Sequence, residues 1–286
     1  MVIKFSKTVM ILIAAVILLV STAVNVVPVS LITGDKEREL PVVMYHQLTK
    51  NPRKSGKYVL TLEQFEKDLM FLKSKGYQSV TVRQLIEFSQ GNGEIPVKSI
   101  LITFDDGQET LYEYALPLLE KYGFTAMGFV VGALADYYTE IDDHNLNYSY
   151  LNWQEIKEMS DGNIIEIESH SFDLHKNTGN RSGIKKKKDE SIEKYREFLC
   201  SDVAKMKTAM ENNTGKTPVA FAFPFGSFSR ESTEILKECG FRMTLTCEER
   251  VNKIKKSDPE SLFGIGRYNR PEGVSSESFF EKMGIS

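Results

Sequence analysis

Beyond an uncharged N-terminal stretch, short apolar runs alternate with segments whose apolar residues recur every three or four positions, so strands and amphipathic helices are predicted in turn. The first run, 42–46, is opened by Pro41 and ends at His46. Residues 61–64 read as a capping box leading a helix with Leu62, Phe65, Leu69 and Leu72 on one face and a stop at Gly76. A strand signal at 79–82 runs into a second box at 81–84, followed by Leu85, Ile86 and Phe88. Residues 100–104 form a buried-strand run that ends abruptly in Asp105, Asp106 and Gly107, and 109–122 is helical in pattern, kinked at Pro117 and stopped by Gly123. Further strands are predicted at 125–131, 164–168, 219–223, 242–246 and 262–265, and further helices at 153–159, 191–210, 231–239 and the C-terminus. Residues 132–150 read as a loose stretch rich in tyrosine and aspartate, and 176–190, with lysines at 185–188, as a solvated loop.

Strand and helix alternate about seven times, which indicates parallel strands joined by crossover helices. His46, Asp105 with Asp106, His170, the 224–226 turn and Arg267 each fall at the C-terminal end of a predicted strand. A closed βα barrel gathers those ends on one face, where its active site is built; a doubly wound open sheet gathers them on one edge. No internal repeat is visible.

Residues 8–33 carry no charge, and 9–20 are unbroken apolar sequence preceded by Lys4 and Lys7. As a helix, residues 8–27 reach about 30 Å, the thickness of the hydrocarbon core. A cleaved signal peptide is the competing reading, with Ser21, Thr22 and Ala23 as a small-residue site, but the apolar run is longer than the usual ~7 to 15 residues. The expected organisation is therefore a membrane anchor or signal segment at 1–34, a charged linker at 35–40 and one domain at 41–286. On either reading that domain is exported: membrane-tethered outside the cell, or secreted if the segment is cleaved.

The whole chain has 36 Lys and Arg against 39 Asp and Glu, a formal net charge of −3. This offers no general basic face for phosphate backbones, so nucleic acid is not an expected partner. Three cysteines, Cys200, Cys239 and Cys247, match no zinc-site spacing, and an odd number leaves at least one unpaired unless it bridges chains. The fold is therefore not expected to depend on disulfides.

Placing two carboxylates, Asp105 and Asp106, together at a core boundary costs free energy unless a cation compensates. Successive side chains of an extended segment diverge, so the two are expected to serve different partners. His170 and His175 would lie about 140° apart on a helix and on opposite faces of a strand, so they converge only on a loop. Two histidines with a carboxylate form a set typical of catalytic zinc, which keeps a position for water. His144, among Asp142, Asp143 and Asn145, reads as part of a solvated loop rather than a second metal site.

Taken together, Thr103-Phe104-Asp105-Asp106-Gly107, the His170/His175 pair and Phe223-Pro224-Phe225-Gly226 resemble, in this order, the first three motifs of the polysaccharide deacetylase (NodB-homology) family of carbohydrate esterases. The four residues between the two histidines, and Val43-Met44-Tyr45-His46 near the start, are similar to the poly-N-acetylglucosamine deacetylase subgroup. With this resemblance the expected fold is α/β, a distorted (β/α)7-type barrel preceded by an N-terminal transmembrane helix. The resemblance implies a divalent ion, zinc before cobalt or nickel, on Asp106, His170 and His175, with Asp105 as general base and His46 as general acid. It also implies an oxyanion shared between the metal and a backbone N–H at or near Phe225. Phe225, Gly226 and Arg267 are grouped as substrate-binding. Many relatives have an arginine just before the Pro-aromatic-Gly motif that pairs with the base; residues 219–223 hold none, so Arg267, ahead of Arg270, is the expected substitute. The implied activity is release of acetate from an extracellular N-acetylglucosamine polymer of cell wall or biofilm, by a monomer. An O-acetyl esterase with the same machinery, or a non-catalytic glycan-binding descendant, are the alternatives; retention of all five residues argues against the last.

Overall fold

The computed structural model describes residues 37–286. The membrane segment expected at 1–34 lies outside them, and no described helix is long and apolar enough to cross a membrane. Eight strands form the central sheet, seven of them along one path: β1 (Val42–Tyr45), β2 (Ser99–Phe104), β3 (Ala126–Val130), β4 (Ile165–Ser169), β5 (Ala220–Ala222), β6 (Met243–Leu245) and β7 (Tyr268–Asn269); the eighth, the short strand Gln78–Ser79, pairs in parallel with the start of β2. Their spatial order is β6-β5-β4-β3-β2-β1-β7, and every pairing is parallel. Crossover segments account for this: Leu62–Ser74 and Val82–Ser89 lie between β1 and β2, and Ile192–Thr214 between β4 and β5.

The sheet curls until its edges meet in one segment. Ile265 bridges Leu245 of β6, and three residues on, Tyr268 pairs with Val43 of β1. That accords with a distorted barrel, in which a single bridge closes one seam. Alternation along the strands separates two cores. Ile100, Ile102 and Phe104 face the helices, whereas Leu101 packs inside with Val42, Met127, Phe129, Ala222 and Leu245, where Val82, Leu85 and Phe88 of the second helix close one end. Each such buried side chain contributes roughly 1.5–3 kcal/mol.

One buried polar hub fastens the C-terminal region. Asp68 receives Arg270 Nε and Nη2 (2.8 and 3.0 Å), Tyr45 Oη (3.0 Å), Ser276 Oγ (2.7 Å) and Gln64 Nε2 (3.1 Å). Its oxygens are saturated with donors, which is the condition under which a buried charge is tolerated.

Several sequence expectations are corrected. Glu37–Leu40, expected as linker, is a strand antiparallel to Asn252–Lys255, so the domain starts before Pro41. Within the stretch read as loose, Gly132–Ile141 is a helix; it lacks a side-chain cap and buries only Gly132, Ala135 and Tyr138, which is why no start signal or apolar stripe announced it. The strand expected at 262–265 is instead a 3-10 turn, Pro259–Leu262, followed by the Ile265 bridge. At 61–64 the Thr61 hydroxyl accepts from the Gln64 amide as expected, but Glu272, not Gln64, receives the Thr61 N–H. The break expected at Pro117 is a π-helical turn, Leu111–Ala115, immediately before Leu116–Tyr122. Cys200 Sγ and Cys239 Sγ lie 3.2 Å apart as free thiols.

Candidate metal centre and active site

The strand alternation that fills the interior also aims the polar residues. Along β2, Leu101, Thr103 and Asp105 share the inner face; along β4, Glu166, Glu168 and His170 do so; along β1, Val42, Met44 and His46. Backbone bonds extend the ladder past the strand ends, with Asp105 N–H donating to Tyr45 O (3.0 Å) and His170 N–H to Val130 O (2.9 Å). The three polar tips therefore arrive at one end of the curled sheet.

Asp106 departs from the strand with φ of 71°, a left-handed conformation costly for a non-glycine residue. This turn brings one of its oxygens, Oδ1, to 3.4 Å from His170 Nε2 and 3.2 Å from His175 Nε2. Gly107 follows at φ 73°, where a Cβ would meet Val130 at 3.1 Å. His170 is almost fully buried, and its Nδ1 lies 2.9 Å from Ala222 O, which turns Nε2 toward Asp106; burial lowers its pKa, but Asp105 and Asp106 outweigh this and raise it. His175 sits on the loop after β4, its ring 5.0 Å from that of His170.

The three donors fit a divalent ion. Ligands at about 2.1 Å in tetrahedral array stand about 3.4 Å apart, and one carboxylate oxygen with two imidazole nitrogens is a donor set suited to zinc. Within the protein alone, burial disfavours ionised Asp106, but His170, His46 and His175 outweigh it and hold the carboxyl well below its usual range. Burial and the neighbouring His170 lower the pKa of His175, which favours the neutral imidazole that a metal needs.

Asp105 has a different partner, as its opposite direction implies. Arg267 Nη1 and Nη2 lie 2.6 and 2.7 Å from its two oxygens, and Nη1 also reaches Thr103 Oγ1 at 3.3 Å. Burial alone would raise the Asp105 carboxyl; Arg267, with His170 and His46, holds it below its ordinary value. Arg267 occupies the seam between the Ile265 bridge and β7, is fully buried, and makes with Asp105 the pairing expected of the substitute arginine. Arg270 belongs to the Asp68 hub.

His46 stands at the end of β1 with Nδ1 buried and without a partner, its ring 4.8 Å from Tyr58. Burial pulls its pKa down, opposed by Asp105 and Asp106. Phe225 lies in the turn Pro224–Gly226 with φ of 60°, half-exposed, its ring 4.3 Å from His175. Gly226 is required there: a Cβ would fall 2.8 Å from that of Cys247. Tyr58, half-exposed beside His46, carried no sequence signal, because nothing in its surroundings marks a loop tyrosine as a neighbour of the β1 end.

The polysaccharide deacetylase family model matches residues 92–244, more than half of the chain. The chain belongs to the polysaccharide deacetylase family and is a hydrolase of that kind. The match contains Asp105, Asp106, His170, His175 and the 224–226 turn, whereas His46 and Arg267 lie outside it. Similar proteins include a poly-β-1,6-N-acetyl-D-glucosamine N-deacetylase of Staphylococcus aureus, 28% identical over 227 residues, covering 79% of this chain and 71% of that one. A Staphylococcus epidermidis protein of the same name is 26% identical over 212 residues, covering 74% of this chain and 69% of that one. Among solved structures, IcaB from Ammonifex degensii superposes with a TM-score of 0.65 at 26% identity, covering 82% and 93%. A de-N-acetylase from Aggregatibacter actinomycetemcomitans shares the fold, with a TM-score of 0.72 at 21% identity, covering 86% and 100%.

Proposed function

We propose that the protein removes N-acetyl groups from an extracellular N-acetylglucosamine polymer, with poly-β-1,6-N-acetylglucosamine the first candidate, using a divalent ion, most simply zinc, on Asp106, His170 and His175. The observation that carries this reading is the spacing of that trio beside a carboxylate, Asp105, that is held ionised by its own arginine. The names of the similar staphylococcal proteins support the choice of polymer.

Held by Asp106, His170 and His175, such an ion would supply Lewis acidity to the acetyl carbonyl and lower the pKa of a bound water toward ~7. Asp105 accepts the proton of the attacking water; Arg267 keeps it ionised and fixes both of its oxygens. His46 delivers a proton to the departing sugar nitrogen, and the burial that lowers its pKa makes its imidazolium the stronger acid. In the 224–226 turn the Gly226 and Ser227 amides already donate to Phe223 O and Pro224 O, so the Phe225 N–H is the donor we assign to the oxyanion. Phe225 beside His175 and Tyr58 beside His46 offer ring faces to sugar. Residues 1–34 serve, in this proposal, as a single-pass anchor that holds a monomeric domain outside the cell, where such polymers lie.

The test is to purify the full chain, count bound metal, and assay acetate release from poly-β-1,6-N-acetylglucosamine, peptidoglycan and acetylxylan. Acetate from the first, abolished by a chelator and restored by zinc, is expected. Release from acetylxylan alone would replace the amide reading with the ester one.

A further inference from the structure

A second group of metal-ligating side chains lies outside the site described above. Glu109, His144 and Glu155 each present a ligand atom within 4.8 Å of the others. Glu109 follows the Asp105-Asp106-Gly107 turn, Glu155 is in the first turn of the helix Trp153–Asp161, and His144 comes from the loop between them. His144 Nδ1 is 2.5 Å from Glu109 Oε1 and 3.9 Å from Glu155 Oε1. We propose that these three residues form a second divalent-cation site, separate from Asp106, His170 and His175, which pins the 142–150 loop against the domain.

Charge balance carries the argument. Two buried carboxylates face one imidazole, so even a protonated His144 leaves the cluster short of one positive charge. Glu109, only 2% exposed, has its second oxygen, Oε2, buried with no hydrogen-bond partner. An orphaned buried acceptor of this kind costs about 1–3 kcal/mol. Glu155 Oε2 is already used by the Asn152 amide at 2.9 Å, which leaves Oε1 directed at the cluster. Burial, with the Glu109 carboxylate beside it and in hydrogen-bond contact, pushes Glu155 up to about 7. A divalent ion would displace to solvent the proton between His144 and Glu109 and any proton on Glu155, take up the idle Glu109 oxygen and neutralise both carboxylates. His144 is half-exposed and gives the ion a way in.

The donor set selects the class of ion. Two carboxylates with an imidazole suit zinc or manganese, whereas magnesium and calcium favour all-oxygen shells. The loop that His144 anchors touches the active-site side of the domain: Leu146 O accepts from Gln47 Nε2 at 3.1 Å, next to His46, and Lys54 Nζ reaches Asn147 at 2.6 Å. The bridge from Gln108 to Tyr150 joins its far end to the turn that carries Asp106.

Zinc titration of the full chain, followed by gel filtration and elemental analysis, tests this. Two zinc per chain are expected for the wild type, one for His144→Ala and one for His170→Ala combined with His175→Ala. In that last variant zinc still raises the melting temperature, and adding His144→Ala removes the increase. Glu155→Gln, which keeps an acceptor for the Asn152 amide, repeats the loss without touching the loop. The proposal fails if the variant carrying His170→Ala and His175→Ala retains no zinc, or if both the zinc count and the melting shift survive His144→Ala and Glu155→Gln. Because the doubly substituted histidine variant lacks the first trio, failure of this site and failure of the catalytic reading give different counts.

Discussion

Arg267 grips Asp105 from behind, each guanidinium nitrogen on its own carboxylate oxygen at 2.6 and 2.7 Å, with both side chains out of water. Removing one member of a buried pair leaves the other uncompensated, typically at about 3–5 kcal/mol. Arg267→Gln is therefore expected to melt well below the wild type and to lose turnover in the folded fraction, since Asp105 is then no longer held ionised. Arg267→Lys keeps the charge but not the fork, and is expected to fall between the two. Thermal melts and kcat measured on the same preparations check both.

Asp105 and Asp106 separate in their variants. Asp106→Ala or His170→Ala abolishes both retention of metal and turnover, whereas Asp105→Asn retains metal and loses turnover by roughly 10²–10⁴-fold, the scale of general-base catalysis. Full activity in Asp105→Asn would sink the mechanism. Elemental analysis beside acetate assays distinguishes the cases.

His46→Ala is expected to keep metal and fold but to lose a similar roughly 10²–10⁴-fold in deacetylation. An aryl acetate, whose leaving group needs no proton, should be hydrolysed by this variant nearly as fast as by the wild type. Equal losses on both substrates would remove His46 from the role of acid.

Arg270→Ala breaks the Asp68 hub and is expected to destabilise the protein by about 3–5 kcal/mol, while metal bound per folded molecule stays unchanged. Urea unfolding with elemental analysis of the native fraction tells this structural arginine from Arg267.

Glu168 is fully buried, accepts the Val219 and Ala220 amides at 2.7 Å each, and is pushed up to about 8 by burial. Its folded pKa lies above the ordinary value of 4.5, so its contribution is fully present below about 4.5 and is lost as pH rises through about 8. The loss is at most on the order of 5 kcal/mol. Glu168→Gln, which keeps an acceptor, is expected to flatten the fall in melting temperature between those limits. An unchanged pH profile would place the proton elsewhere.

Much of this protein was legible in one dimension. The continuous apolar run 100–104 and the alternation along 164–168 marked two buried strands, and the abrupt change to polar residues after each placed Asp105 and His170 at strand ends. Local punctuation at Thr81, Gly123 and Ser191 placed helix ends, because caps and left-handed turns are satisfied by neighbours in sequence. The motifs around Asp105, His170 and Phe225 announced the chemistry for the same reason: each is a short stretch at a strand end.

What the tertiary structure decided involves partners far apart in the chain. Arg267 and Arg270, three residues apart and alike in composition, went to Asp105 and Asp68 only because the closing segment passes one across the barrel seam and the other against the helix Leu62–Ser74. Glu37–Leu40 became a strand because Asn252–Lys255 offers it an edge. Glu109, His144 and Glu155 met because the loop folds back on the turn after β2, and no local spacing records that closure. Local hydrogen bonding and alternation are written residue by residue, whereas the pairing of buried charges is settled by which distant segments the closed sheet brings together.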